Sequence, residues 1–409
     1  MQHPPQMQPV RNTMFYLDGC RASFMLLGIV LHSTIPFMTN MKWYITAPQQ
    51  STVLSYLYYL INAFRMPGFF LIAGFFSALM LTKRFSGPWF QTRLERLGIP
   101  LLFGVLFIVP FESLTVAAHQ HLESGSLHLR DLIVDAAHRH NESALHWVSH
   151  LWFLIDLLLI SAIFALVWPS VRTFAVRLAR RFVDMSDAGR ALAGPSALAL
   201  LAGYLLAVEV FAYSRIGSYF SVGGDAPMWG VVDAWRMLHY APFFLIGALL
   251  FEDMTLLERF RMPPATVWLV ALLALFAAIA IQVHVPRFGR LGTALGGVAA
   301  VLLIRIWLQV AFQTINRPSR LVRHGVESAY TVYLVHHPII LMMSALAIWL
   351  SLGPALGFFF VLTATTVLSF AVYFATRDIP LAAFLLNGVR KPRKTHAIAP
   401  SGTTAMDGP

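Results

Sequence analysis

The sequence carries little charge and almost no cysteine. Only 12% of the 409 residues are Asp, Glu, Lys or Arg, against about 25% in ordinary soluble domains. Hydrophobic residues make up 57% of the chain, which is more apolar surface than a water-soluble globule can bury. A single cysteine, Cys20, excludes an intrachain disulfide. We therefore expect an integral membrane protein.

A cleavable signal peptide and nucleic-acid-binding motifs are also lacking. The first apolar run follows about 20 mostly polar residues without a small-residue cleavage pattern, so we interpret it as a retained membrane span. The formal net charge of +11 then indicates that Lys and Arg accumulate on one side of a membrane.

Ten apolar stretches approach the roughly 20 residues that a helix needs to cross a bilayer. They lie at 22–38, 52–81, 99–118, 149–169, 196–214, 237–251, 265–283, 291–312, 329–350 and 354–375. The connecting segments on the side of both termini contain 21 Lys or Arg, and those on the opposite side contain 7. This bias predicts cytoplasmic termini.

The predicted fold class is therefore all-α, a polytopic membrane protein with about ten transmembrane helices. It divides into a cytoplasmic N-terminal segment (1–21), a transmembrane domain (22–376) and a basic cytoplasmic tail (377–409). The tail lacks apolar periodicity from about residue 390, which predicts disorder. Two stretches, PGFFLIAGFF (67–76) and PFFLIGALLF (242–251), resemble each other. They indicate either an internal repeat or the chance similarity of apolar helices.

The first span contains YLDGCRASFMLLGIVLHS (16–33), with Arg21 at its start and His32 deep inside. Eleven helical steps of 100° bring both side chains to one face, about 16 Å apart along the axis. Asp18 is placed to cap the helix and to pair with Arg21. Either Arg21 grips an anion and His32 accepts a proton, or the two are an interfacial arginine and a hydrogen-bonded histidine.

Ionisable side chains inside a span are costly, and they tend to face a bundle interior and to mark function. Arg65 is too far from the basic side to snorkel inward, so it either holds an anion in a polar cavity or snorkels outward. His150 and Trp152 begin the fourth span, where tryptophan is typical of the membrane interface. Arg93 and Arg96 precede the third span, where they grip phosphates or only follow the positive-inside bias.

In SAYTVYLVHHP (328–338), helical spacing places Tyr330, Tyr333 and His337 on one face. These polar side chains, called here the polar stripe, either bind hydroxyl groups or transfer protons at a site, or they form hydrogen bonds between helices. His336 and His337 point about 100° apart, so we do not expect both to face one site. No clustered carboxylate is near them in sequence, and we therefore predict no metal site.

Taken together, these stretches resemble a known family. Arg21 and His32 match the Arg-x10-His signature of the acyltransferase-3 family of membrane proteins. FRMPGFFLIAGFFSA is similar to the family's second-span pattern, and RLERLGIPLL to its basic segment before the third span. SHLWFL, YAPFFLIGALLF and YLVHHP follow in the same order, so that the resemblance covers about residues 11 to 385.

The resemblance implies an O-acyltransferase of the bacterial inner membrane, which needs no cofactor besides its acyl-CoA donor. It moves an acyl group from the cytoplasm to a sugar hydroxyl on the outer side. In the branch that these stretches resemble, the group is succinyl and the acceptor a periplasmic glucan. The implied site residues are the catalytic His32, Arg21, Asp18 and Arg65, the donor-binding Arg21, Arg93 and Arg96, and the acceptor-binding His150, Trp152, Tyr330, Tyr333, His336 and His337.

Within this hypothesis His32 is a general base that deprotonates the acceptor hydroxyl, with an acyl-histidine intermediate as the less economical route. Arg65 either stabilises the oxyanion or binds the free carboxylate of a succinyl group. A secondary transporter or flippase remains an alternative, because intramembrane His, Arg and Glu also serve proton relays. A third alternative is a non-catalytic partner protein in glucan export, which binds the acceptor but does not consume the donor. The oligomeric state is left open.

Overall fold

The computed structural model describes residues 14–39, 41, 43–125, 128–141, 147–210, 232, 234–317 and 319–388. Within these ranges the chain is almost entirely helical and forms no strand, apart from an isolated bridge between Met38 and Ser51. The tail from about residue 390, which the sequence predicts to be disordered, lies outside the described residues.

Fourteen α-helices occur in the described part of the chain. They are α1 (Phe15–Thr34), α2 (Thr52–Leu81), α3 (Ser86–Phe103), α4 (Val109–Ser124), α5 (Leu129–Asn141), α6 (Trp152–Asp184), α7 (Asp187–Ala207), α8 (Ala234–Glu252), α9 (Met254–Arg261), α10 (Ala265–His284), α11 (Gly289–Ile315), α12 (Arg320–Trp349), α13 (Pro354–Thr376) and α14 (Pro380–Asn387).

Ten of these helical segments are long and apolar enough to cross a membrane, which confirms the predicted fold class. A π-helical turn at Gly104–Ile108 joins α3 to α4, and the two count as one segment. The remaining helices α5, α9 and α14 are short. Large apolar side chains on the outer helices, such as Leu166, Leu200 and Phe276, are exposed and suit contact with lipid.

The two similar stretches of the sequence pack against each other where α2 crosses α8. A Cβ atom at Gly74 would lie 1.9 Å from the backbone oxygen of Phe244, and one at Gly247 would lie 1.8 Å from that of Leu71. Each glycine therefore lets the opposite backbone approach closely, which is how small residues hold membrane helices together.

Helix α1 occupies the interior of the bundle, packed against α2, α11 and α12. It begins at Phe15, after Met14, so that Asp18 lies within its first turn and does not cap it. The predicted capping role of Asp18 is therefore wrong, because the helix starts about one turn before the position that Asp18 would cap. The predicted pairing is present, since Nη2 of Arg21 lies 3.0 Å from Oδ1 of Asp18.

Candidate functional site

A basic cavity of about 570 Å³ opens beside the N-terminal end of α1. Arg21 from α1 and Arg93 and Arg96 from α3 all line it, so the structure brings the three predicted donor-binding residues together. Arg93 is held in place, because its Nε donates a hydrogen bond to Oγ of Ser161 over 2.9 Å. The inner wall is apolar and includes Phe69.

Tyr330 also lines this basic cavity, although the sequence analysis grouped it with the acceptor side. It nevertheless belongs to the predicted polar stripe of α12, since its ring lies 6.3 Å from that of Tyr333, one turn further along. Tyr333 is buried, and its hydroxyl donates to the backbone oxygen of His150 over 2.6 Å. The stripe therefore leads from the basic cavity into the interior of the bundle.

At its inner end the stripe reaches a group of four histidines, called here the histidine cluster: His32, His150, His336 and His337. The ring of His32 lies 5.3 Å from each of the rings of His336 and His337. The rings of His150 and His337 stack 4.7 Å apart. The expectation that the adjacent histidines do not face one site is wrong, because His32 lies between their two directions.

His32 is partly exposed, whereas the other three members of the histidine cluster are buried. Its Nδ1 atom has no hydrogen-bond partner among the described residues. In His336, Nδ1 faces the backbone oxygen of Tyr333 over 2.6 Å. A carbonyl only accepts, so this nitrogen carries the proton and Nε2 of His336 is an acceptor.

Arg65 of α2 is buried next to the histidine cluster. Its guanidinium lies against Gly28 of α1, where a Cβ atom would be 2.8 Å from Nη1 of Arg65 and 3.6 Å from Nε2 of His336. Gly28 precedes His32 by four residues and shares its helix face. The structure thus places the positive charge of Arg65 beside the two histidines and not at the lipid interface.

Glu112 of α4 is a candidate site residue that was not predicted from the sequence. It is buried, and its Oε1 lies 3.0 Å from Nδ1 of both His150 and His337. Ser149 donates from Oγ to the second carboxylate oxygen over 2.6 Å. The sequence nevertheless contained an indication of Glu112. An acidic residue inside the predicted span 99–118 is as costly in a membrane as the histidines that were predicted to be site residues.

Glu112, His150 and His337 form a group that could hold a metal ion, since one ligand atom from each lies within 4.8 Å of the others. The sequence argued against a metal because no carboxylate is close in the chain, whereas the structure supplies one from another helix. Trp43 and Tyr44 cover this group, with rings 5.5 and 6.2 Å from that of His337. Burial, followed by the charge of Glu112, raises the pKa of Tyr44 to about 12, so its phenol stays protonated.

Trp152 lies behind the wall of a second polar cavity of about 190 Å³, where it contacts two of the residues that line the cavity. Its ring stacks with that of Tyr240 and lies 4.6 Å from the guanidinium of Arg236, and both of these residues line the cavity. Tyr59, Asn62, Trp235 and Gln282 line it as well. The cavity therefore combines aromatic faces with amide and guanidinium groups.

Three further charged residues, of which Asp156 and Glu209 are buried and Arg305 is half-buried, have partners elsewhere in the bundle. Asp156 lies 3.4 Å from Nε of Arg236, and Glu209 lies 3.0 Å from Nδ1 of His239. Arg305 donates to the backbone oxygen of Phe260 over 2.9 Å. These pairs tie helices together, which is the ordinary role of polar groups inside membrane bundles.

Comparisons with known proteins identify the family of the chain. The model of the acyltransferase-3 family, described as an acyltransferase domain, matches residues 14–374. The chain is 28% identical to the glucans biosynthesis protein C of Salmonella typhi and to that of Salmonella typhimurium, over 95% of this chain and 98% of each relative. No solved structure matches it. Because the family model covers most of the chain, this membrane protein belongs to the acyltransferase-3 family.

Proposed function

We propose that the protein is an O-acyltransferase of the bacterial inner membrane that moves a succinyl group from cytoplasmic succinyl-CoA to a hydroxyl of a periplasmic glucan. One observation carries the proposal: α1 connects the basic cavity, at Arg21, with the histidine cluster, at His32. The names of the relatives support a glucan as the acceptor. The excess of Lys and Arg on the side of Arg21 supports a cytoplasmic location for the basic cavity.

The donor binds in the basic cavity. Arg21, Arg93 and Arg96 hold its phosphates, because guanidinium groups bind phosphate oxygens through paired, charge-assisted hydrogen bonds. Asp18 holds Arg21 in this position through its ion pair. The pantetheine arm extends along the apolar inner wall, past Phe69, toward the histidine cluster.

His32 acts as the general base. The buried Nδ1 of its ring has no hydrogen-bond partner among the described residues. The ring itself is partly accessible, as a base that meets substrate requires. It takes the proton of the acceptor hydroxyl while the oxygen attacks the thioester carbonyl. When the carbon–sulfur bond breaks, the proton passes from His32 to the departing CoA sulfur. Arg65 supplies the positive charge that the oxyanion, or the succinyl carboxylate, needs.

The acceptor binds on the far side of the histidine cluster and in the cavity beside Trp152. Tyr59, Trp235 and Tyr240 present aromatic rings there, and Asn62 and Gln282 present amides that match sugar hydroxyls. His336 and His337 lie next to His32, and His150 and Tyr333 lie next to His336. These four residues are assigned to the acceptor side. A glucan held there brings one hydroxyl toward His32.

The decisive experiment measures CoA release by the purified protein in lipid vesicles with succinyl-CoA, with and without periplasmic glucan. We expect release that depends on the glucan and a succinylated product by mass spectrometry. His32→Gln keeps the size of the side chain but not its basicity, and should lower the rate by about 10²- to 10⁴-fold. Transport of glucan without CoA release would instead support the transporter reading.

The control for that variant is His284→Gln. His284 lies at the end of α10, where its Nε2 contacts the hydroxyl of Tyr56 over 2.8 Å, away from the histidine cluster. Equal expression and equal membrane insertion of both variants separate a chemical role of His32 from a structural one. Full activity of His32→Gln would overturn the assignment of the base.

A further inference from the structure

We propose that Glu112, His150 and His337 bind a first-row divalent cation, with zinc as the preferred ion, through Oε1 of the glutamate and Nδ1 of both histidines. Two imidazoles and one carboxylate are a ligand set that suits such ions. The proposal concerns metal binding only, and it does not depend on the proposed acyl transfer.

The first argument is the spacing of the three ligand atoms. Nδ1 of His150 and Nδ1 of His337 each lie 3.0 Å from Oε1 of Glu112. Nitrogen and oxygen ligands about 2.0–2.1 Å from a tetrahedral zinc ion are themselves about 3.3–3.4 Å apart. The two observed separations are a few tenths of an ångström shorter, so that a small outward shift of the ligand atoms would admit the ion.

The second argument is that no hydrogen bond of good geometry joins these atoms. All three are buried, and within the described ranges none makes a contact that meets hydrogen-bond geometry, although Oε1 of Glu112 lies at ion-pair distance from both histidines. The side chains of Glu112, His150 and His337 are each at least nine-tenths buried. Buried polar atoms without well-formed hydrogen bonds are costly, and a cation between them removes that cost.

The third argument concerns the tautomer of His150. Its Nε2 lies 3.2 Å from the backbone oxygen of Leu334, which accepts and does not donate. Nε2 therefore carries the proton, and Nδ1 of the neutral ring turns a lone pair toward the carboxylate of Glu112. Two electron-rich atoms 3.0 Å apart repel unless a positive charge lies between them.

The sequence explains why Leu334 is available as the partner. In α12 the residue four positions later is Pro338, which has no N–H to donate to that oxygen. Metal-binding histidines commonly use a backbone carbonyl in this way to fix the ligating nitrogen. Ser149 holds the second oxygen of Glu112 over 2.6 Å, which orients the carboxylate.

A small cavity lies next to Glu112. Its volume of about 10 Å³ is close to what one water molecule needs, and it is lined by Glu112, Ser149, Tyr44 and Arg139, but by neither histidine. It can place a water molecule beside the carboxylate. Three protein ligands and one exchangeable water form an open site, which is the type that catalytic zinc ions occupy.

The test measures metal content of the full-length protein, purified in detergent and washed with a weak chelator. After incubation with ZnSO4 and removal of free metal, mass spectrometry of the elements should find about one zinc per chain, as expected for a single three-ligand site. Replacement by Co²⁺ should give the visible absorption bands of a four-coordinate nitrogen and oxygen site. Glu112→Gln and His337→Ala should each lower the metal affinity at least tenfold.

Two matched variants serve as controls, and both should retain the metal. His336→Ala removes the neighbouring histidine, and Glu327→Gln removes an exposed acid on the same helix. Wild-type protein that binds neither zinc nor cobalt in stoichiometric amount would overturn the proposal and favour a proton shared between Glu112 and His150. Unchanged metal affinity of Glu112→Gln and His337→Ala would also overturn the proposal. The wild-type result remains decisive even if a ligand variant fails to fold.

Discussion

Gly28 makes room for Arg65. A Cβ atom at Gly28 would lie 2.8 Å from Nη1 of Arg65, a separation that real side chains essentially never show. The glycine therefore decides how far the guanidinium of α2 reaches toward α1, and thereby how close it comes to His336.

Gly28→Ala should shift the guanidinium of Arg65 away from α1 and lower the rate of acyl transfer. A displacement of about 1 Å at a reacting centre costs up to about 100-fold in rate. Initial rates with succinyl-CoA and glucan would measure the effect, with Gly203→Ala as the control. Gly203 has no neighbour within 4 Å of its added Cβ. An unchanged rate in Gly28→Ala would contradict the role of Arg65.

Arg21→Gln and Arg93→Gln should each raise the KM for succinyl-CoA by about tenfold, which corresponds to about 1.4 kcal/mol of binding free energy. The kcat should change little, because these residues contact the phosphates and not the reacting atoms. The side chain of Arg21 is 39% exposed, so added salt should also raise the wild-type KM.

The control for the basic cavity is Arg84→Gln, which removes an exposed charge from the loop before α3. It tests whether general basicity near the cavity is enough to attract the donor. A lower kcat at unchanged KM in Arg21→Gln or Arg93→Gln would show that these arginines do not bind the donor in its ground state.

Gly74→Ala and Gly247→Ala should destabilise the protein, because each added methyl group would collide with a backbone oxygen across the crossing of α2 and α8. Overpacking of this kind costs about 1–3 kcal/mol. Thermal unfolding in detergent, followed by circular dichroism, would measure the lower transition temperature. Gly203→Ala again serves as the control, and equal stability of all three variants would contradict a close crossing.

Pro338→Ala should weaken metal binding at Glu112, His150 and His337. Alanine restores a backbone N–H in α12, which competes with Nε2 of His150 for the oxygen of Leu334. Loss of such an outer hydrogen bond typically lowers metal affinity about 10- to 100-fold. Competition titrations with a zinc-binding dye would measure the change.

The control here is Pro354→Ala, at the first position of α13, where the helix needs no N–H. It tests the general effect of removing a helical proline. Equal zinc affinity of Pro338→Ala and wild type would mean that the bond from His150 to Leu334 does not select the ligating nitrogen.

The helices that cross the membrane were predictable because the signal is local. A run of apolar residues of sufficient length must form its backbone hydrogen bonds internally, whatever surrounds it. The positions of Arg21 and His32 on α1 follow in the same way from the helical repeat. The capping role of Asp18 was a local error, because the helix begins at Phe15, about one turn before the position that Asp18 would cap.

The arrangement of the candidate site was only partly predictable. Arg93 and Arg96 line one cavity with Arg21, as predicted, and Tyr330 lines the same cavity, which its position in the sequence did not indicate. The 100° between His336 and His337 predicted that they diverge, and they do so around a third ring, that of His32. Whether two diverging side chains share a site depends on what lies between them, and sequence spacing does not contain that information.

The sequence by itself determined the class of the protein, its ten membrane-crossing segments and the pair of basic groups on its first helix. These follow from hydropathy and from a fixed helical geometry. Only the tertiary structure decided that Glu112 joins His150 and His337, and that Arg65 lies against Gly28. Such contacts depend on how helices far apart in the chain cross one another, and each crossing is set by the packing of the whole bundle.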